Sequence, residues 1–196
     1  VRLDLGENPA NMIWLWGPGT RTTLPSFQDK YGLKGAVISA IDLIKGIGRL
    51  AGLEVIEVPG ATGYYDTNYE GKASYALKAL KEKDFVMVHL EATDEAGHNG
   101  DLREKIAAIE KFDRLIVGGI VDGLKGRKDF RILVTPDHAT LVKKRTHADT
   151  PVCFLVFGEG IAPGGVSEFS EKSAQGGLKF EIGHQLMDYL ILSKGL

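Results

Sequence analysis

The sequence predicts an α/β fold, a mainly parallel sheet flanked by helices, and three observations carry that prediction. Short apolar runs alternate with amphipathic stretches along the whole chain. The runs are apolar at nearly every position, as strands covered on both faces are, instead of alternating polar with apolar. Glycine and proline gather in the connections, as in Gly17-Pro-Gly19, Pro59-Gly60 and Ala162-Pro-Gly-Gly165.

The elements follow in order. A first strand is expected at Met12-Ile-Trp-Leu-Trp16, where alternation of the two tryptophans with Ile13 and Leu15 places at least one indole in the core. Strands are next expected at Ala36-Val-Ile-Ser39, Glu54-Val-Ile-Glu-Val58 and Phe85-Val-Met-Val-His-Leu90. Two more follow at Ile132-Leu-Val-Thr135 and Val152-Cys-Phe-Leu-Val-Phe157. Between them, residues 41–50, 70–82, 102–124 and 178–192 carry apolar residues at helical spacing, as in Ile106, Ile109, Phe112, Leu115 and Ile116. Strand followed by helix, repeated, is the pattern of a parallel sheet with crossover helices. No repeat, low-complexity segment or interdomain linker interrupts it, so residues 1–196 read as one domain.

Composition narrows the function classes. The chain has 196 residues, 43% of them hydrophobic, which suffices for a real core and argues against disorder. Its 24 basic and 26 acidic residues are mixed along the chain, for a formal net charge of -2, so no basic footprint for nucleic acid or an anionic membrane is present. The single cysteine, Cys153, sits inside an apolar run and reads as a small buried hydrophobe, which suits a reducing, cytoplasmic setting. No run is long enough to cross a membrane, and the amino end Val1-Arg-Leu-Asp4 has no signal-peptide character. The absence of an initial Met points to a processed or truncated chain.

Three clusters carry the chemistry. Asp94 and His98 are four apart, so on a helical turn both side chains share one face. Asp137 and His138 follow the apolar run that ends at Pro136, at the carboxyl end of a strand, where open α/β sheets place their sites. His147 stands in a polar loop just before Asp149-Thr-Pro-Val152. Asp94, His98 and His147 together make a carboxylate–imidazole set with a coordination position left open, the pattern of a catalytic metal site. Alone, the first pair reads as a helix-start Asp with a His one turn on, and His147 as a solvated loop histidine. Three of the five histidines falling in such positions favours the metal reading.

Other candidates weigh less. His89 within a strand and His184 within the terminal helix read as packed or surface histidines. Gly46-Ile-Gly-Arg-Leu-Ala-Gly52 closes a helix, whereas a phosphate-binding glycine loop must follow a strand and open one. Ser39 and Ser167 have no base nearby in sequence, and no Gly-x-Ser-x-Gly turn is present, so no catalytic nucleophile is visible.

The order Asp94-x-x-x-His98, Thr135-Pro-Asp-His138, His147 resembles the metal-binding pattern of the alkaline phosphatase superfamily. Within it the chain is most similar to the cofactor-independent phosphoglycerate mutases of archaeal type. Ala10-Asn-Met-Ile-Trp-Leu-Trp-Gly17, Lys30-Tyr-Gly-Leu-Lys-Gly-Ala-Val-Ile38, Asp42-Leu-Ile-Lys-Gly-Ile-Gly48, the stretch from Pro59 to Gly71 and Glu91-Ala-Thr-Asp-Glu-Ala-Gly-His98 extend the likeness over nearly the whole chain. The resemblance implies an alkaline-phosphatase-like fold and interconversion of 3-phosphoglycerate and 2-phosphoglycerate through a phosphoserine. It implies two divalent ions, typically manganese, with zinc, cobalt or magnesium as rivals, and no organic cofactor. Asp94, His98 and His147 would hold one ion; Asp137 and His138 would hold the second with an Asp and the nucleophilic Ser of an amino-terminal segment. A family lysine that meets the substrate phosphate corresponds to Lys30, with Lys34 as a rival.

This chain has no stretch like the amino-terminal Asp and Ser motifs, nor the inserted domain that supplies substrate arginines. It therefore resembles the carboxyl-terminal half of such an enzyme, an incomplete fold that is inactive alone, whose partners are phosphoglycerate and the amino-terminal half. An apolar edge left where that half packs would favour self-association into a homo-oligomer. Two other readings stay open: a metal-dependent phosphatase or phosphopentomutase-like enzyme, and a non-catalytic metal-binding module of the same fold.

Overall fold

The computed structural model describes residues 1–15 and 17–192. A single turn of 3-10 helix at Leu3–Leu5 precedes a long irregular stretch. The helix α1 (Phe27–Tyr31) starts where Ser26 accepts a hydrogen bond from the Asp29 amide at 3.0 Å and stops at Gly32. β1 (Gly35–Ile38) follows, buried at all four residues. Then come α2 (Asp42–Leu50), β2 (Glu54–Ile56), α3 (Tyr69–Ala79), capped by Asn68, and β3 (Phe85–Val88).

These strands form a parallel sheet in the order β2-β1-β3. Ala36, Val37 and Ile38 are at most 1% exposed, because helices cover the central strand while its neighbours take its hydrogen bonds. Each fully buried Val or Ile contributes about 1.5–3 kcal/mol. The chain leaves β1 toward β2 and then returns past it to β3, so the strand order reverses between β1 and β3. Ligands of open α/β sheets sit at such a reversal, beyond the carboxyl ends of the strands.

α4 (Ala92–Asn99) begins directly beyond β3. α5 (Leu102–Lys111) is capped by the Asp101 carboxylate, which accepts from the Glu104 amide at 3.0 Å. It continues through a π-helical stretch, Phe112–Val117, into α6 (Gly118–Gly123). The helical span expected at 102–124 is thus present with a widened middle turn. Ala92, Ala108, Ile116 and Tyr69 form one buried cluster with Phe112, Leu115 and Val88 around it. Ile38, Val58 and Ala76 form a second, and Val88 and Ile120 pack against both.

The remaining elements are β4 (Arg131–Val134), β5 (Ala139–Leu141), β6 (Thr146–Ala148), β7 (Leu155–Gly158), α7 (Glu171–Ala174) and α8 (Gln185–Leu192). β4 and β7 pair antiparallel, and so do β5 and β6. The parallel pattern therefore ends at β3. Between β4 and β7 the chain makes a hairpin and not a crossover helix, and without a crossover the returning strand runs antiparallel.

Three expectations need correction. Residues 12–15 form no strand: Met12, Ile13, Trp14 and Leu15 are 82–89% exposed. Among the described residues no strand offers them hydrogen-bond partners, so an apolar run of the right composition stays uncovered. Trp14 is thus outside the core, and Trp16 lies outside the described residues. The last helix starts at Gln185 and not at 178, after a turn that contains Gly183, a poor helix former. His184 accordingly lies in that turn and His89 just past the end of β3. Cys153 is buried as expected, and burial raises its thiol pKa.

Candidate metal centre

The site assembles at the carboxyl end of β3. α4 turns upward from that end, and its first turn carries Asp94 while its last carries His98. The four-residue spacing puts His98 Nε2 3.3 Å from Asp94 Oδ2. His147 arrives from β6, opposite Thr140 of β5 in the hairpin. Its Nε2 lies 3.3 Å from Asp94 Oδ1 and 3.0 Å from His98 Nε2. One ligand atom from each of the three residues lies within 4.8 Å of the others.

The protons on these rings can be deduced. His98 Nδ1 is 3.1 Å from the Arg145 carbonyl oxygen, which only accepts, so Nδ1 carries a hydrogen, and in the neutral ring Nε2 then presents a lone pair. Thr140 Oγ1 donates a short hydrogen bond to Asp94 Oδ1, so that hydroxyl receives from His138 Nδ1, 3.3 Å away. His138 Nε2 is then also a lone pair, and it faces Asp137 Oδ2 at 3.4 Å. The His138 and His147 rings lie with centroids 3.8 Å apart, which joins the two clusters.

These donors fit a divalent ion. Ligand atoms about 2.1 Å from a tetrahedral centre stand about 3.4 Å from one another; here the two Nε2 atoms are 3.0 Å apart, and each lies 3.3 Å from an Asp94 oxygen, His98 from Oδ2 and His147 from Oδ1. His98 and His138 each have the other ring nitrogen engaged by a non-ligand oxygen, as metal-binding histidines do. Asp137 and His138 supply two donors, half of what a second ion needs.

A pattern of the Metalloenzyme superfamily matches residues 4–194. The chain belongs to that superfamily. It is 52% identical over 192 residues to a protein of Geobacter sulfurreducens named a probable 2,3-bisphosphoglycerate-independent phosphoglycerate mutase, covering 97% of this chain and 48% of that one. A Methanothrix thermoacetophila protein of that mutase name is 50% identical, with 97% of this chain and 49% of the relative covered. Among solved structures, a cofactor-independent phosphoglycerate mutase from Thermoplasma acidophilum matches with a TM-score of 0.66 and 30% identity, over 88% of this chain and 40% of that one. A Pyrococcus horikoshii protein matches with a TM-score of 0.73 and 36% identity, over 76% and 44%. The chain spans about half the length of the curated relatives it matches, so this superfamily fold is present here in part.

Beside the cluster lies a polar network that the sequence did not announce. Ser39, just beyond β1, accepts from the Ile41 amide at 3.0 Å and lies 3.2 Å from His89 Nδ1. His89 Nε2 is 3.5 Å from Glu91 Oε2. Lys72 of α3, 1% exposed, donates to the His89 carbonyl at 2.8 Å. Burial lowers its ammonium to about 8, with Glu91 opposing the shift. Burial likewise holds His89 below the ordinary histidine value, and raises Glu91, which Asp94 and Glu95 push further up. Ser39 thus has a histidine partner after all, 50 residues away in sequence. Its hydroxyl is 3% exposed and engaged on two sides, which makes it a structural member of the network.

Lys30 is not brought to the cluster. It sits on α1, before β1, and pairs with Asp188 of α8 at 3.1 Å. Lys34 also precedes β1. Both lie at the amino end of that strand, whereas Asp94 lies beyond the carboxyl end of its neighbour. Gly46 and Gly48 fall inside α2 and open no helix.

Proposed function

We propose that this chain is the metal-binding, carboxyl-terminal part of a phosphoglycerate mutase that interconverts 3-phosphoglycerate and 2-phosphoglycerate. The convergence of Asp94, His98 and His147 on one point, with the His98 Nδ1 proton directed to the Arg145 carbonyl, carries the reading. Asp94, His98 and His147 hold one divalent ion, and Asp137 and His138 hold part of the sphere of a second. Bound ions of this kind supply Lewis acidity that neutralises phosphoryl oxygens and lowers the pKa of a coordinated hydroxyl. Manganese suits the carboxylate–imidazole set, as zinc and cobalt do. The proteins of mutase name are about twice as long as this chain, which supports the reading that the nucleophilic serine and the remaining ligands come from another segment of the same enzyme. Residues 1–196 act as one unit of that enzyme.

No helix among the described residues is long and apolar enough to cross a membrane, in keeping with a cytoplasmic enzyme of central carbon metabolism. Phosphoryl transfer through a covalent intermediate needs its nucleophile, and losing that group removes most of the rate enhancement even where binding groups persist. The isolated chain is therefore expected to show no mutase turnover in an enolase-coupled assay, while a longer protein that includes the amino-terminal part turns over and loses activity on His98→Ala. Turnover by the isolated chain that is sensitive to His98→Ala would overturn the division of labour. A longer protein that is active but indifferent to His98→Ala would overturn the metal centre.

A further inference from the structure

The hairpin formed by β5 and β6 does more than deliver His147. Its strand β5 places Thr140, 6% exposed, between Asp94 and His138. Its turn places the Arg145 carbonyl 3.1 Å from His98 Nδ1. Arg145 has φ 56°, the one non-glycine residue with positive φ among the described residues. That conformation is unfavourable for an arginine, and it persists only where the surroundings impose it.

Two features impose it here. The Arg145 and Lys144 amides both donate to the Leu141 carbonyl, at 2.7 and 2.9 Å, which closes the turn. The Arg145 guanidinium lies over Gly100, the left-handed cap that ends α4, and a Cβ at Gly100 would overlap Arg145 Nε. A cation at a helix carboxyl end is also favourable. The hairpin is thereby fixed on the helix that carries Asp94 and His98.

We infer that this hairpin is the positioning frame of the metal centre: Thr140 and Arg145, neither of them a ligand, pre-set His138 and His98 in the tautomer whose Nε2 is free to coordinate. The inference rests on the metal reading above. A free neutral imidazole side chain favours the proton on Nε2, the nitrogen these sites need bare. The Thr140 hydroxyl opposes that preference for His138 by accepting from Nδ1, and because it also donates to Asp94 it ties the two half-sites together. The Arg145 carbonyl does the same for His98. Thr140 and Arg145 are positioning residues, and partners of this kind are worth 10–100-fold in metal affinity.

The test begins without metal. Nitrogen-resolved NMR of the imidazoles in the metal-free chain, at about pH 8.5 where an ordinary histidine is neutral, should find both His98 and His138 protonated on Nδ1. Thr140→Val removes the hydroxyl at nearly constant shape and should move His138 alone toward the Nε2 proton, with Thr140→Ser restoring it. Arg145→Ile, which cannot hold positive φ easily, should move His98 alone, whereas Arg145→Gly keeps the carbonyl in place and should leave His98 unchanged. Zinc titration by calorimetry should then show affinity at least tenfold weaker for Arg145→Ile, through the ligand His98, and for Thr140→Val, through its lost hydrogen bond to the ligand Asp94, and near wild type for Thr140→Ser and Arg145→Gly. Wild-type protein with the proton on Nε2 of either ring overturns the inference, and so do tautomers that ignore both substitutions. Unfolding of a variant would disturb both rings at once, and the wild-type spectrum still decides. A wild-type chain that has the stated tautomers but binds no zinc would refute the metal reading and leave the hydrogen-bond frame standing.

Discussion

Replacing Lys72 by Met should alter how stability depends on pH, and the size of the effect follows from its surroundings. The side chain is 1% exposed, and burial brings its pKa from 10.5 to about 8. The folded value lies below the unfolded one, so between these pH values the unfolded chain holds a proton that the folded protein has released. Stability of the unmodified protein should therefore rise with pH from 8 to 10.5 and be lost again as pH falls back to 8. At about 1.36 kcal/mol per pH unit, that interval is worth about 3 kcal/mol. The Met variant lacks this contribution. It also leaves the His89 carbonyl without its 2.8 Å donor, a cost of about 1–3 kcal/mol that does not vary with pH. Urea denaturation of both proteins at several pH values gives the difference in unfolding free energy, in which titration of the tyrosines common to both cancels. That difference should shift in favour of the unmodified protein by about 3 kcal/mol across the interval. Two curves that stay parallel from pH 8 to 10.5 would refute the account of Lys72 as a buried, strongly desolvated ammonium.

Three further outcomes are expected. In a manganese titration the chain should bind one ion appreciably; His98→Ala should abolish that site and His138→Ala leave it largely intact, and two equally tight sites would show that the ligands are divided wrongly. Gly97→Ala should destabilise by about 1–3 kcal/mol, since the new Cβ would sit 2.7 Å from Thr140 Cγ2 and 2.8 Å from its carbonyl oxygen, and zinc affinity should fall with it. The uncovered run from Met12 to Leu15 should make the isolated chain self-associate in a concentration-dependent way in sedimentation, and charged substitutions at Ile13 and Trp14 should suppress this; a chain that stays monomeric at high concentration would show that the run is harmless.

What the sequence determined was local. The apolar runs that became β1, β2 and β3, and the helical spacing of α2, α3 and α5, were legible because strand and helix write their own periods into the chain. The Asp94–His98 pair was legible for the same reason, since one helical turn suffices to bring its two side chains together. Recognition of the ligand order did the rest for Asp137, His138 and His147, whose positions are far apart in the chain and share no period.

The tertiary structure decided what depends on contacts across the chain. Composition says that Met12 to Leu15 is apolar, and only the fold shows that no strand among the described residues lies beside it. The turn from parallel to antiparallel pairing after β3 follows from the missing crossover helix, which apolar runs do not encode. The protons on His138 and His98 are placed by Thr140, 46 residues from Asp94, and by Arg145, 47 residues from His98. No spacing rule links those pairs. A hydrogen bond depends on where its two ends lie in space, and the burial that shifts Lys72 and His89 is a property of everything packed around them.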